Sequence, residues 1–175
     1  MDTALEQCPG CGVRLPKSEG PTHRYIGASA GCWALYTALL NGGAPPLAPT
    51  PANALLIDAY AAHHPGVPSP QAVQSVAVHL LTLYGVLVRG VAHGNALWVR
   101  QRALRVQKSP KHSRFSWLTP PSFVRSPTVL DIVQAATPTV RTEQVEQYVA
   151  AVWSCWSQPY ADVIATWYEQ FVVPD

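Results

Sequence analysis

Apolar residues recur at helical spacing along most of the chain, and several of these runs open with Ser or Thr followed by Pro. The hydroxyl of such a residue accepts a hydrogen bond from a free backbone N–H, and Pro at the first helical position loses no bond. Three pairs predict helix starts in this way: Thr50-Pro51, Ser69-Pro70 and Ser126-Pro127. The helices that follow them are expected to cover residues 50–63, 69–89 and 126–136.

Four more helices are predicted from the same periodicity, over residues 29–41 and 95–106, from Thr142 onward, and over 158–171. Strand alternation is absent apart from possible short pieces near Val13 and Tyr25. We therefore expect an all-α protein, a single-domain bundle of about six or seven helices over residues 1–175. Residues 1–32 are expected to form an N-terminal metal-binding loop.

Composition supports a well-buried protein. Hydrophobic residues make up 48% of the chain and charged residues 13%, against about 25% charged in an average domain. The longest apolar stretch, residues 76–88, is interrupted by His79 and Thr82 and is too short to span a bilayer. We expect a cytoplasmic protein with no membrane association, where four Cys favour a metal or free thiols over disulfides.

The stretch CPGCG supplies half of a metal site through Cys8 and Cys11. Tetrahedral zinc needs two further ligands, and Cys32 is the expected third because it falls in the first turn of a predicted helix, where a thiolate is favoured. His23 is the favoured fourth ligand because it is nearby in sequence, and His64 is the long-range alternative. Cys155, between two Trp residues, is predicted to be a buried apolar side chain.

A second polar group lies in apolar surroundings. Asp58 is flanked by apolar residues in one predicted helix, and His64 follows that helix, released from helical geometry by Pro65. His79 belongs to a polar seam with Ser75 and Thr82 on the next helix. Because successive helices are usually neighbours, Asp58, His64 and His79 can converge, either for metal or acid–base chemistry or as a hydrogen-bonded structural cluster.

Charge is unevenly distributed although the net charge is only +2. Residues 59–130 contain no acid and eight bases: Arg89, Arg100, Arg102, Arg105, Lys108, Lys111, Arg114 and Arg125. Either the acidic C-terminal helices partly neutralise this segment, or it forms an anion-binding face. The overall basicity is too modest to predict specific nucleic-acid binding.

Four segments together resemble an uncharacterised bacterial family, the domain of unknown function DUF5946: CPGCG, GPTHRYIGASAGCWALY, DAYAAHHPG and QSVAVHLLTLYGVL. The resemblance extends to WLTPP and VWSCW. It implies importance for the residues that match the family pattern, namely Cys8, Cys11, His23, Cys32, Asp58, His64 and His79. It implies no reaction.

Two functions follow from the sequence. The first is a small zinc-dependent enzyme that acts on an anionic small molecule through Asp58, His64 and His79. The alternative is a non-catalytic zinc-stabilised binding or adaptor protein, whose basic face docks an acidic partner. A closed shell of four protein ligands favours a structural metal, and a polar cavity beside Asp58 and His79 favours an enzyme.

Overall fold

The computed structural model describes residues 4–41, 47, 50–108, 114–124 and 126–173. Within these ranges, one small antiparallel sheet joins β1 (Leu5–Gln7) and β2 (Arg14–Pro16). The remaining elements are helices: α1 (Ala30–Leu40), α2 (Pro51–Ala54), α3 (Leu56–His63), α4 (Pro70–Leu87), α5 (Ala96–Gln107), α6 (Val129–Val133) and α7 (Pro138–Phe171). The predicted all-α class and helix number are confirmed.

Two of the three Ser/Thr-Pro pairs begin helices as predicted. The Thr50 hydroxyl accepts from the backbone N–H of Asn53, and the Ser69 hydroxyl accepts from that of Ala72. The third pair differs, because α6 is capped by Thr128, whose hydroxyl and backbone N–H form a capping box with Asp131. A reciprocal cap satisfies two backbone groups and therefore outcompetes the start two residues earlier.

The two helices predicted at the C-terminal end are a single helix, α7, of 34 residues. It begins at the pair Thr137-Pro138 and continues through Pro159. Proline inside a helix costs about 3 kcal/mol, but Trp156 and Ile164 on either side are fully buried. Their packing keeps the helix continuous. No described helix, α7 included, is long and apolar enough to cross a membrane.

Helix α4 lies at the centre and packs against α3, α5 and α7. Helix α3 also packs against α7, and the indole N–H of Trp156 donates to the carbonyl of Ala62 at 3.0 Å. The far end of α3 is thereby fixed from the opposite side of the bundle. Every residue of α3 except Ile57 is buried, so its polar side chains must find partners inside the protein.

The N-terminal segment attaches to this body at one side. Strand β2 packs against α1, and α1 packs against α6. Residues 114–124 cover another part of the core, because Phe115 contacts Trp167 and Phe171 with ring centroids 5.1 and 4.3 Å apart. The N-terminal segment has no comparable aromatic anchor before His23, and its buried side chains are those of Cys8, Cys11 and Leu15.

Candidate functional site

Four donor atoms converge where the N-terminal segment meets the helices. The sulfurs of Cys8, Cys11 and Cys32 and a ring nitrogen of His64 all lie within 4.8 Å of one another and could hold a metal ion. All three cysteines are free thiols, and His64 is 1% exposed. Cys8 and Cys11 lie between β1 and β2, Cys32 is in the first turn of α1, and His64 caps the end of α3.

The ring of His64 is oriented by the helix that it ends. Its Nδ1–H donates to the carbonyl of Tyr60 at 2.8 Å, so in the neutral ring the lone pair is on Nε2, 3.4 Å from Cys32 Sγ. The backbone of His64 has left helical geometry, with φ −126° and ψ 62°, because the following Pro65 disfavours it. A neutral imidazole held by a backbone carbonyl is the form that ligates metals.

Two further groups donate to the sulfurs. The backbone N–H of Ser29 reaches Cys8 Sγ at 3.5 Å, and the hydroxyl of Tyr60 reaches Cys32 Sγ at 3.5 Å. Burial raises the pKa of Tyr60 well above its ordinary value, so the hydroxyl stays protonated and donates. Donors directed at sulfur stabilise thiolates rather than neutral thiols.

The three sulfurs depend on one another for their charge. Hydrogen bonds from Cys11 and, to a smaller extent, from Cys32 hold the pKa of Cys8 far below its ordinary value. Hydrogen bonds with Cys11 and Cys8, together with burial, raise the pKa of Cys32 far above its ordinary value. Three thiolates buried side by side would repel one another strongly, and a cation among them would offset that repulsion.

Glycines allow the backbone segments around this cluster to approach closely. The N–H of Gly27 donates to the carbonyl of His64 at 3.0 Å, and a Cβ on Gly27 would lie 2.8 Å from the Cα of Gly66. Gly66 has φ +70°, and a Cβ there would lie 2.7 Å from the carbonyl oxygen of Tyr25. Side chains at either position would force the segment before α1 away from the end of α3.

His23 lies outside this group of donor atoms, and the histidine that lies within it is His64. The ring of His23 packs against Tyr25 and Trp33, with centroids 4.4 and 5.1 Å away. Burial lowers its pKa. Proximity in sequence favoured His23, but the close crossing of Gly27 and Gly66 brings the end of α3 to the thiols instead. Cys155 also lies outside the set, half-buried and 3.6 Å from the hydroxyl of Ser126.

The predicted polar group divides into two sites. Asp58 and His79 are together, with Nδ1 of His79 2.7 Å from Oδ1 of Asp58, whereas His64 belongs to the thiol cluster. Asp58 is fully buried and also accepts from Nη1 of Arg100, at 3.1 Å from Oδ1 and 3.0 Å from Oδ2. One carboxylate on α3 thus holds a side chain from α4 and one from α5.

Sequence reasoning missed two contributors to these sites. Arg100 was expected on a docking face, yet its partner is Asp58 on a neighbouring helix. The sequence signal for this pairing was a lone Asp in an apolar helix, followed by residues 59–130 with bases and no acid. Tyr60 gave no signal beyond its place one turn before His64. The neighbouring His63 is not among the four donors: its Nδ1 contacts the Tyr148 hydroxyl at 3.2 Å, and burial lowers its pKa to about 3.

A family model described as a family of unknown function, DUF5946, matches residues 6–157. The chain belongs to DUF5946. The matched region contains all four donors of the thiol cluster and the Asp58–His79–Arg100 group, and it ends within α7 shortly before Pro159. Neither a curated protein nor a solved structure matches this DUF5946 member.

Proposed function

We propose that this chain is a cytoplasmic helical protein stabilised by a structural zinc ion, which Cys8, Cys11, Cys32 and His64 hold. The main support for zinc is the distances between their donor atoms. Two sulfurs on tetrahedral zinc lie about 3.8 Å apart, and a sulfur and an imidazole nitrogen about 3.6 Å apart. Cys11 and Cys32 are 3.8 Å apart, and the Cys32–His64 distance is 3.4 Å.

A structural role follows from the ligand count. Four protein donors complete a tetrahedral shell and leave no position for water or substrate, as in zinc sites that only stabilise a fold. The donors also come from three places: the hairpin, the start of α1 and the end of α3. Zinc bound there fastens the N-terminal segment onto the helical body, and its binding free energy contributes to folding.

We expect purified protein to contain one zinc ion per chain with three sulfurs at about 2.3 Å and one nitrogen at about 2.0–2.1 Å. X-ray absorption spectroscopy on the zinc edge measures this shell directly. Cys155→Ala serves as the control and should retain the same metal content and spectrum, because its sulfur lies outside the cluster. An oxygen ligand in place of the nitrogen, or zinc lost from Cys155→Ala, would contradict the assignment.

A second function is favoured by the polar group on α3, α4 and α5. We propose that it is the working site of a small enzyme acting on an anionic small molecule, with His79 as general base. The Nδ1–H of His79 donates to Asp58. The lone pair on Nε2 is thereby left to accept a proton from a ligand in the cavities that His79 lines. No ligand of the proposed zinc site lines these two cavities, so the chemistry would not involve the metal.

Turnover of model substrates tests this proposal. We expect the protein to hydrolyse a p-nitrophenyl phosphate or carboxylate ester, and His79→Gln to reduce kcat/KM by about 10²–10⁴-fold, the usual effect of losing a general base. His93→Gln is the matched control, since His93 is exposed in the short 3-10 helix at residues 93–95. Equal activity in the two variants would show that His79 is not the base.

The adaptor hypothesis is retained as the alternative. Arg105, Lys108 and Arg114 are exposed and free to meet an acidic partner, whereas Arg100 is mostly buried beside Asp58. Two further members of the predicted basic face, Lys111 and Arg125, lie outside the described residues. A partner whose capture persists after Arg105 and Lys108 are both replaced by Ala would exclude docking through this face.

A further inference from the structure

Two cavities meet at His79. One, of about 190 Å³, is lined by Gln71, Gln74 and Arg100 among others, and the second, of about 210 Å³, by His23, Trp33 and Tyr36 among others. Both share Tyr25, Ser75 and His79, so they adjoin along the polar seam of α4. Their lining residues include no Asp or Glu, because Asp58 lies behind His79 and Arg100.

The second cavity has aromatic walls suited to a flat ring. Trp33 and Tyr36 lie 5.5 Å apart between centroids, and His23 contacts Trp33. Its volume exceeds the roughly 150 Å³ in which an engineered apolar cavity takes up benzene. Nδ1 of His23 is buried and has no hydrogen-bond partner among the described residues.

The first cavity is suited to an anion. Arg100 donates to Asp58 through Nη1 alone, and a guanidinium has three more N–H donors on its other nitrogens. His79 lines the same cavity, which places the proposed base next to the anionic group. A third cavity shares Gln71 and Gln74 and adds Lys108 and Arg114, which extends the positive charge away from the aromatic end.

We propose that the two cavities bind one ligand, an aromatic or heteroaromatic small molecule that carries a phosphate or carboxylate group. The ring lies against Trp33, Tyr36 and His23, and the anionic group meets Arg100 beside His79. Small-molecule sites usually combine an apolar wall with a small number of polar groups that converge on the ligand. This assignment rests on the proposed working site at His79 but names the class of ligand that the site selects.

Calorimetric titration with four probes separates the two parts of the ligand. Phenyl phosphate and benzoate carry a ring and an anion, phenol carries only the ring, and inorganic phosphate only the anion. We expect phenyl phosphate or benzoate to bind at least tenfold more tightly than either single-part probe. Which of these two binds more tightly then distinguishes a phosphate site from a carboxylate site. Phenol or inorganic phosphate binding as tightly as both two-part probes would overturn the proposal.

A matched pair of variants locates the binding. Gln71→Glu places a carboxylate at the lining of the first cavity and should weaken the tighter probe at least tenfold, whereas Gln101→Glu adds the same charge on α5 outside these cavities and should not. Both residues are exposed, so both variants are expected to fold, and Gln74→Glu provides a second lining position. Equal affinity in Gln71→Glu, Gln74→Glu and Gln101→Glu would refute the location.

Binding and turnover fail independently in these experiments. Preferential binding of the two-part probes without hydrolysis of any ester would retain the ligand class and remove His79 as a general base. Hydrolysis that depends on His79, with no preference for two-part probes, would retain the enzyme and remove the ligand class.

Discussion

Replacing His64 with Ala should release the proposed zinc ion, whereas replacing His23 with Ala should leave it in place. Loss of the imidazole opens one of the four positions to water, so the three remaining thiolates bind zinc less tightly and part of the binding free energy is lost from folding. Metal content should fall from about one ion per chain to almost none, as measured by mass spectrometry of the purified protein.

The same substitution should free the N-terminal segment and spare the helical body. Helices α3, α4, α5 and α7 pack on one another, so helical circular dichroism should be largely retained while limited proteolysis cleaves within residues 4–29. His23→Ala is the control and should stay resistant. Zinc lost from His23→Ala but kept in His64→Ala would return the fourth ligand to the position that sequence proximity favoured.

Asp58→Ala should destabilise the fold by about 3–5 kcal/mol, the usual cost of removing one partner of a buried ion pair. Asp58 is completely buried, and its loss leaves Arg100 and His79, each mostly buried, without their acceptor. Urea denaturation monitored by circular dichroism measures the difference in the free energy of unfolding.

Asp162→Ala is the matched control because Asp162 is exposed on α7, where a substitution should change stability by no more than about 0.5 kcal/mol. Adding Arg100→Met to Asp58→Ala should restore part of the loss, since the unpaired buried charge is then removed. An Asp58→Ala protein as stable as Asp162→Ala would mean that the carboxylate contributes nothing to holding α3, α4 and α5 together.

Local signals were readable in the sequence and long-range ones were not. The starts at Thr50-Pro51 and Ser69-Pro70 depend on a hydroxyl and the next three residues, so they were predictable. The continuous helix through Pro159 depends on the burial of Trp156 and Ile164, and this packing overrides local propensity. Thr137-Pro138 carries the same start signal as the pairs that begin α2 and α4, whereas the apolar periodicity places the start of the helix near Thr142.

The candidate sites divide along the same line. Cys8, Cys11 and Cys32 were predicted from spacing and helix position, and Asp58 with His79 from two apolar helices that each carry a polar residue. The choice between His23 and His64 needed the backbone crossing at Gly27 and Gly66, which no local pattern encodes. The pairing of Arg100 with Asp58 was equally unreadable. Which basic residue of α5 is buried depends on the position of the acid on the neighbouring helix.

All four donors of the proposed zinc site precede α4 along the chain. During synthesis, the hairpin, α1 and α3 leave the ribosome while the helices that will bury them are still being made. Because His64 is oriented by the carbonyl of Tyr60, only one turn earlier, its ring needs no later segment to point its Nε2 outward. Metal capture can therefore precede the docking of α4 and α7, and a nascent chain that has already loaded zinc presents α3 to them in a fixed position.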